Sequence, residues 1–209
     1  DFSLGSREQI ASYKDHIRFF EKSITQDLSD VFRDTQYDAV FHIAALPRVQ
    51  FSIKEPQKTH EANINGTLNL LVHARDAGVK RFVFSSSSSL YGDQKVLPIT
   101  EDAHPNPLSP YALHKLVGEY YCQLFHSLYG METVALRYFN VYGPRQNPNG
   151  EYAAAIAKFS KKIMDGERPT IFGDGEQTRD FTFVSDVVAA NIAAATTSNQ
   201  DAFGRAYNI

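Results

Sequence analysis

The chain has 209 residues, 43% hydrophobic and 12% aromatic, with a formal net charge of −3 at pH 7. That length suits one domain, or one and a half, with a sizeable core, and the near-neutral balance without a basic run excludes a nucleic-acid or membrane-surface binder. One cysteine, Cys122, excludes an internal disulfide and fits a reducing, cytoplasmic setting; no apolar run could span a bilayer, and "DFSLGSREQI" does not read as a signal peptide.

In chain order, "DAVFHIAA" (38–45) is short, β-rich and apolar on both faces, as a buried parallel strand should be. Residues 55–76 read as helix, with Leu68, Leu71 and Val72 on one face and Gly78 at the end. "RFVFSSS" (81–87) is a second buried strand. Residues 110–129 carry Leu113, Leu116, Val117, Tyr120 and Leu124 at helical spacing. Ser109 suits the N-cap, Pro110 the first turn and Gly130 the C-cap. "TVALRYF" (133–139) is a third strand. This alternation predicts an α/β, doubly wound parallel sheet. After Tyr142 the texture changes. "GPRQNPNGEY" (143–152) reads as a loop, a helix follows at about 152–165, and another carries "VSDVVAANIAAA". A second, smaller lobe is therefore placed from residue 144, with 1–143 as the main domain and about 180–198 returning to it.

Three segments carry chemistry. In open parallel sheets, ligands sit beyond the carboxyl ends of the strands. "HIAAL" (42–46) ends the first strand with small Ala44 and Ala45, which admit a flat ligand to the backbone. "SSSSSLYG" (85–92) sets a row of hydroxyls, Ser85, Ser87 and Ser89 among them, at the second strand's end. "SPYALHK" (109–115) starts the next helix with Tyr111 and Lys115 four apart, on one face. The ammonium is expected to lower the phenol's pKa towards that of a general base. Tyr91 and Lys95 show the same spacing, but Gly92 and Asp93 make that stretch a turn.

With "HIAA", "NINGTLNLL" (63–71), "FSSSSSLYG", "SPYALHK", "LRYFNVYGPRQ" (136–146) and "GDGEQTRDFTFVSDV" (173–187), the chain resembles the extended short-chain dehydrogenase/reductase superfamily, in its NAD-dependent epimerase/dehydratase family. The resemblance covers essentially the whole chain. It implies a Rossmann-like sheet, NAD as cofactor and a UDP-sugar as substrate. Ser87, Tyr111 and Lys115 are the implied catalytic residues: Ser87 on the sugar 4-oxygen, Tyr111 as acid/base, Lys115 on the nicotinamide ribose. Asp1 falls near the ribose, Asp27 and Leu28 near the adenine, Ala44 and Ala45 against the cofactor. Asn63, Ser85 and Tyr138 fall towards the nicotinamide. Asn140 and Arg179 match contacts to the UDP diphosphate, Ala154 and Ala155 the uracil segment, and Ser89 the sugar side. His114 stands where the family usually has Ser, Thr or Gly, and is expected to point away from the Tyr111–Lys115 face. A homodimer through the helices at 55–76 and 110–129 is expected, and no metal. "RQNPNGEYAAAI" looks like UDP-hexose 4-epimerases, including those acting on N-acetylated sugars. Dehydratase, decarboxylase or reductase chemistry and a non-catalytic NAD-binding module are the alternatives.

A dinucleotide fold needs a glycine-rich turn after its first strand. Gly173 and Gly175 precede the β-like "FTFV" instead of a helix, so they fail that role. The chain therefore reads as a fragment lacking the first β-α-β unit and part of the substrate lobe.

Overall fold

The structure is a computed structural model that describes residues 2, 5–148, 155–171 and 173–209. The elements run α1 (Ser29–Phe32), β1 (Ala39–His42), α2 (Val49–Lys54), α3 (Pro56–His60), a π-helical turn (Glu61–Asn65) continuing into α4 (Gly66–Asp76), β2 (Arg81–Ser87) and α5 (Pro110–Tyr129). Then come β3 (Glu132–Tyr138), β4 (Asn140–Tyr142), α6 (Ala155–Met164), β5 (Phe181–Phe183), α7 (Val184–Thr196) and β6 (Arg205–Asn208).

Four strands form one parallel sheet in the order β1–β2–β3–β6, and β4 pairs with β5 separately. Register runs Phe84 opposite His42 and Ala135, and Leu136 opposite Tyr207. Alternation along β2 divides the core. Phe82 and Phe84 pack with Leu71, Ala74, Cys122 and Phe125 beneath α4 and α5. Val83 packs with Val134, Leu136, Ala194 and Phe203 beneath α7. Both faces are thus covered, as a doubly wound sheet requires.

The α5 bounds follow from its ends. Ser109 Oγ accepts from the Ala112 amide at 3.2 Å, Pro110 sits where no amide is needed, and Gly130 closes the helix at φ 68°. Its apolar residues divide between two faces, with Leu116 buried. Leu113, Tyr120 and Leu124 are 47%, 54% and 49% exposed, whereas Tyr111, Lys115, Gly118, Glu119 and Cys122 face the sheet. The sheet side carries polar and small residues because α5 lies very close to β2. A Cβ on Gly118 would fall within 2.7 Å of one Phe84 ring carbon and closer to another.

β6 joins the main sheet beside β3. Among the described residues, no helix is long and apolar enough to cross a membrane.

Candidate functional site

Ser85, Ser86 and Ser87 end β2, with Ser88–Tyr91 forming a 3₁₀ turn beyond it. Ser87 Oγ accepts from the Ser89 amide at 3.2 Å and from Ser89 Oγ at 2.9 Å. The next helix, α5, brings Tyr111 and Lys115 to this row. Tyr111 is buried beside Ser87, and its amide donates to Ser52 Oγ at 3.1 Å. Lys115 Nζ donates to the Ser85 carbonyl at 2.6 Å and lies 5.0 Å from the Phe84 ring centroid. The predicted Ser87, Tyr111 and Lys115 therefore meet at one strand end.

Electrostatics correct one expectation. Burial pushes the Tyr111 phenol up from its ordinary value, with the neighbouring Ser87 pulling the other way. Lys115 does not reverse this. Its ammonium is turned to the Ser85 carbonyl, 5.8 Å from the Tyr111 ring centroid. Burial also brings Lys115 down to about 8, against Cys122 and Glu119, which favour the charged form. His42 from β1 is held neutral: burial, then Lys115, lower it to about 3. Thr67 donates its hydroxyl to the Asn63 carbonyl at 2.7 Å, so His42 Nε2, 2.8 Å from that hydroxyl, is the donor.

The nicotinamide-side candidates form a second string. Ser85 Oγ lies 3.2 Å from Tyr138 Oη, which accepts from Asn191 Nδ2 at 2.7 Å. Asn191, buried on α7, is a residue the motifs did not single out; its position in "VSDVVAANIAAA", seven residues into an apolar helix, was the available signal. Asn63 does not present a free amide. Its side chain accepts from the Leu46 amide at 2.7 Å and donates to the Leu46 carbonyl at 3.0 Å. It thereby fixes the backbone just beyond Ala44 and Ala45. Those two alanines line a cavity of about 530 Å³ together with Ser23, Ile24 and Thr25.

In the segment before α1, Asp27 Oδ1 accepts from the Ser29 amide at 3.0 Å and the Ser29 hydroxyl at 2.5 Å. These bonds, then His73, hold its carboxyl at about 2. Leu28 is buried, and its amide donates to His73 Nε2 at 3.3 Å.

Asn140 and Arg179 come together through the β4–β5 pair. Asn140 Nδ2 donates to the Asp180 carbonyl at 2.9 Å, next to Arg179, which is exposed. Ala155 begins α6 and is exposed. A cavity of about 650 Å³ lies between residues 142–148 and α6, away from the serine row. Asp1 and Ala154 lie outside the described residues. His114 is buried edge-on to His60, with ring centroids 5.6 Å apart, and takes no part in the serine row. Tyr91 bonds Asn208 at 2.7 Å, inside the core. Among the described residues, no group of three His, Cys, Asp or Glu could hold a metal ion.

A parallel sheet with hydroxyls, a buried tyrosine and a buried lysine at its carboxyl edge defines a class of short-chain oxidoreductase-like sites. The model of the NAD dependent epimerase/dehydratase family matches residues 4–209, and the chain belongs to that family. It is 39% identical over 198 residues to a UDP-glucose 4-epimerase of Mycolicibacterium smegmatis, a match covering 93% of this chain and 63% of that protein. The fold is similar, at TM-score 0.91 and 38% identity, to a UDP-N-acetylglucosamine 4-epimerase from Methanobrevibacter ruminantium M1 in complex with UDP-N-acetylmuramic acid; the match covers 99% of this chain and 66% of that one. It is also similar, at TM-score 0.87 and 32% identity, to a Thermus thermophilus UDP-glucose 4-epimerase in complex with NAD, covering 99% of this chain and 67% of that one. A decarboxylase and a 4,6-dehydratase of nucleotide sugars also match. The chain spans 57% and 63% of the length of the first two curated relatives it matches.

Proposed function

We propose that the whole protein is an NAD-dependent 4-epimerase of a UDP-hexose. The observation that carries this reading is the meeting of Tyr111, Lys115 and Ser87 with no carboxylate following the serine. Residues 88–90 are Ser88, Ser89 and Leu90, so no acid is at hand to expel water from C5 and C6. That separates epimerisation from the 4,6-dehydratase reading, which remains the second one.

The residues present fit a dinucleotide. Ala44 and Ala45 offer only methyl groups to the approaching ligand beside a cavity of about 530 Å³, with the backbone behind them fixed by Asn63. Asp27 and Leu28 would hold the adenine end. Lys115, Ser85 and Tyr138 would hold the nicotinamide end. NAD, when bound, supplies the acceptor and later the donor of the C4 hydride.

The chain's own residues manage the proton. Ser87 Oγ bonds the sugar 4-oxygen. Tyr111, beside it, takes the 4-hydroxyl proton and returns it after the 4-keto sugar has turned. Lys115, anchored on the Ser85 carbonyl, would hold the nicotinamide ribose. Asn140 and Arg179 would grip the diphosphate, Arg179 through its planar fork. Ala155, with Ala154, would border the uracil, and Ser89 would support Ser87.

The same reading includes a homodimer. Leu113, Tyr120, Leu124 and Leu128 form an exposed apolar stripe on α5, beside the helices running from 56 to 76, which suits helix–helix association between two copies.

The test is incubation of the whole protein with UDP-glucose, UDP-N-acetylglucosamine and their 4-epimers, followed by NMR. Interconversion of at least one pair is expected. Formation of a 4-keto-6-deoxy product instead would replace this reading with the dehydratase. The stretch 145–156 leans towards N-acetylated sugars, and a more than about hundredfold preference for UDP-glucose in kcat/KM, some 3 kcal/mol, would remove that lean.

A further inference from the structure

α5 meets the end of β2 in three successive turns. Tyr111 lies beside Ser87, Lys115 donates to the Ser85 carbonyl at 2.6 Å, and Glu119 accepts from Ser86 Oγ. The helix residues are four apart and share a face. Ser86 points towards α5, while Ser85 turns its hydroxyl to Tyr138 on the opposite side.

Glu119 is 8% exposed, and Arg137 of β3 fills its carboxylate, with Nε at 3.0 Å and Nη2 at 2.7 Å. Arg137 Nη1 donates onward to Tyr91 Oη at 2.6 Å and to the Glu101 carbonyl at 3.2 Å. Tyr91 Oη in turn donates to Asn208 Oδ1 of β6 at 2.7 Å. One bonded chain thus runs from α5 across the sheet to its far edge. A buried ion pair adds little stability over an apolar pair of the same volume. What this one adds is a fixed geometry and a charge, both placed one turn from Lys115.

We propose that Glu119 is a positioning residue for the Tyr111–Lys115 pair. Tied to Ser86 and anchored by Arg137, it sets the height of α5 above the strand end, and its charge supports the Lys115 ammonium. The proposal rests on the catalytic reading of Tyr111 and Lys115. The groups facing Lys115 are Tyr111, Glu119 and Cys122 from its own helix and His42 from β1, with Arg137 balancing Glu119 from β3.

The experiment uses the whole protein loaded with NAD. Lys115→Met identifies which break in the pH–rate profile belongs to Lys115. Glu119→Gln keeps the shape and an acceptor for Ser86 but removes the charge and leaves Arg137 unopposed. That break is then expected at lower pH, with kcat down roughly tenfold and KM and NAD affinity within about twofold of the parent. Glu119→Asp, which restores the charge, should return the break towards its parent position. Ser86→Ala keeps the ion pair and cuts only the tether; kcat should fall about threefold or more with the break unmoved. A Glu119→Gln protein with lowered thermal stability but the parent's kcat and profile would make the pair purely structural and overturn the proposal. A parent-level kcat in Ser86→Ala overturns it as well, and decides the matter if Glu119→Gln does not fold. Near-parent turnover by Tyr111→Phe would remove the underlying catalytic reading, a failure distinguishable from either of these.

Discussion

Gly118→Ala tests how tightly α5 is seated. The added Cβ lands within 2.7 Å of one Phe84 ring carbon and nearer still to another, where ordinary contact begins at 3.4 Å. The ring or the helix must therefore recede by about 1 Å, since van der Waals repulsion rises steeply below contact. Phe84 has little room to yield. It is 1% exposed, 5.5 Å from the His42 ring and 5.0 Å from Lys115 Nζ. The helix is expected to lift instead. Overpacking of this kind costs about 1–3 kcal/mol, and alanine's helix preference offsets up to about 1 kcal/mol. Three ring atoms meet the new methyl, which places the overpacking cost at the upper end and the net loss at about 1–2 kcal/mol. Lifting α5 also draws Tyr111 from Ser87 and Lys115 from Ser85. A 1 Å misplacement of catalytic groups costs on the order of a hundredfold in rate. Denaturant titration of the whole protein should show the stability loss, and steady-state kinetics should show a fall in kcat with KM little changed. Adding Phe84→Leu, which vacates the ring, should recover part of both. A Gly118→Ala protein more stable than the parent, with unchanged kcat, would refute the close seating of α5.

Tyr111→Phe should lower turnover by roughly two to four orders of magnitude, the usual worth of a general acid/base, while calorimetry finds NAD affinity preserved. Arg179→Lys should raise KM for the UDP-sugar more than it changes NAD affinity, because an ammonium cannot hold a diphosphate in two parallel bonds; equal effects on both would count against the diphosphate contact. Asp27 has a folded pKa held at about 2, below the ordinary carboxylate value. Its contribution to stability is therefore complete above the unfolded value of about 3.9 and is lost as pH falls towards 2. Asp27→Asn should flatten the acid limb of the stability curve between about pH 5 and 2, and an unchanged slope would show that the Ser29 and His73 bonds do not favour the charged form.

The parts of the fold set by local rules were legible in the sequence. β2 runs 81–87 as its apolar run predicts, and α5 runs 110–129 between a Ser-Pro start and a glycine stop. The gathering of Ser87, Tyr111 and Lys115 was legible because they sit at strand and helix ends with a recognisable spacing. The inward face of α5 was not. Of the apolar residues at helical spacing, Leu116 is buried while Leu113, Tyr120 and Leu124 face outwards, and the face that seats on the sheet carries Lys115 and Glu119. A buried charge becomes tolerable only through partners distant in sequence, and nothing local to residue 119 announces Arg137. Asn191 is hidden for the same reason: its partner Tyr138 lies 53 residues away. The expected lowering of the Tyr111 pKa failed on a vector that spacing does not contain, since Lys115 spends its nearest bond on a backbone carbonyl.

Cys122 offers a clock for motion at this site. It is the chain's one thiol, 2% exposed on the sheet side of α5, and burial, then Glu119, push its pKa up. As the thiolate is the reactive form, the closed molecule should be nearly inert to alkylating reagents. Modification then waits for α5 to part from β2, and the labelling rate reads the population of that opened form multiplied by the intrinsic reactivity of a free thiol. Seven residues separate Cys122 from Lys115 on the same helix, so ligands that clamp the tyrosine–lysine end should slow the labelling. A single mass-spectrometric time course would then follow the breathing of α5 without any engineered probe.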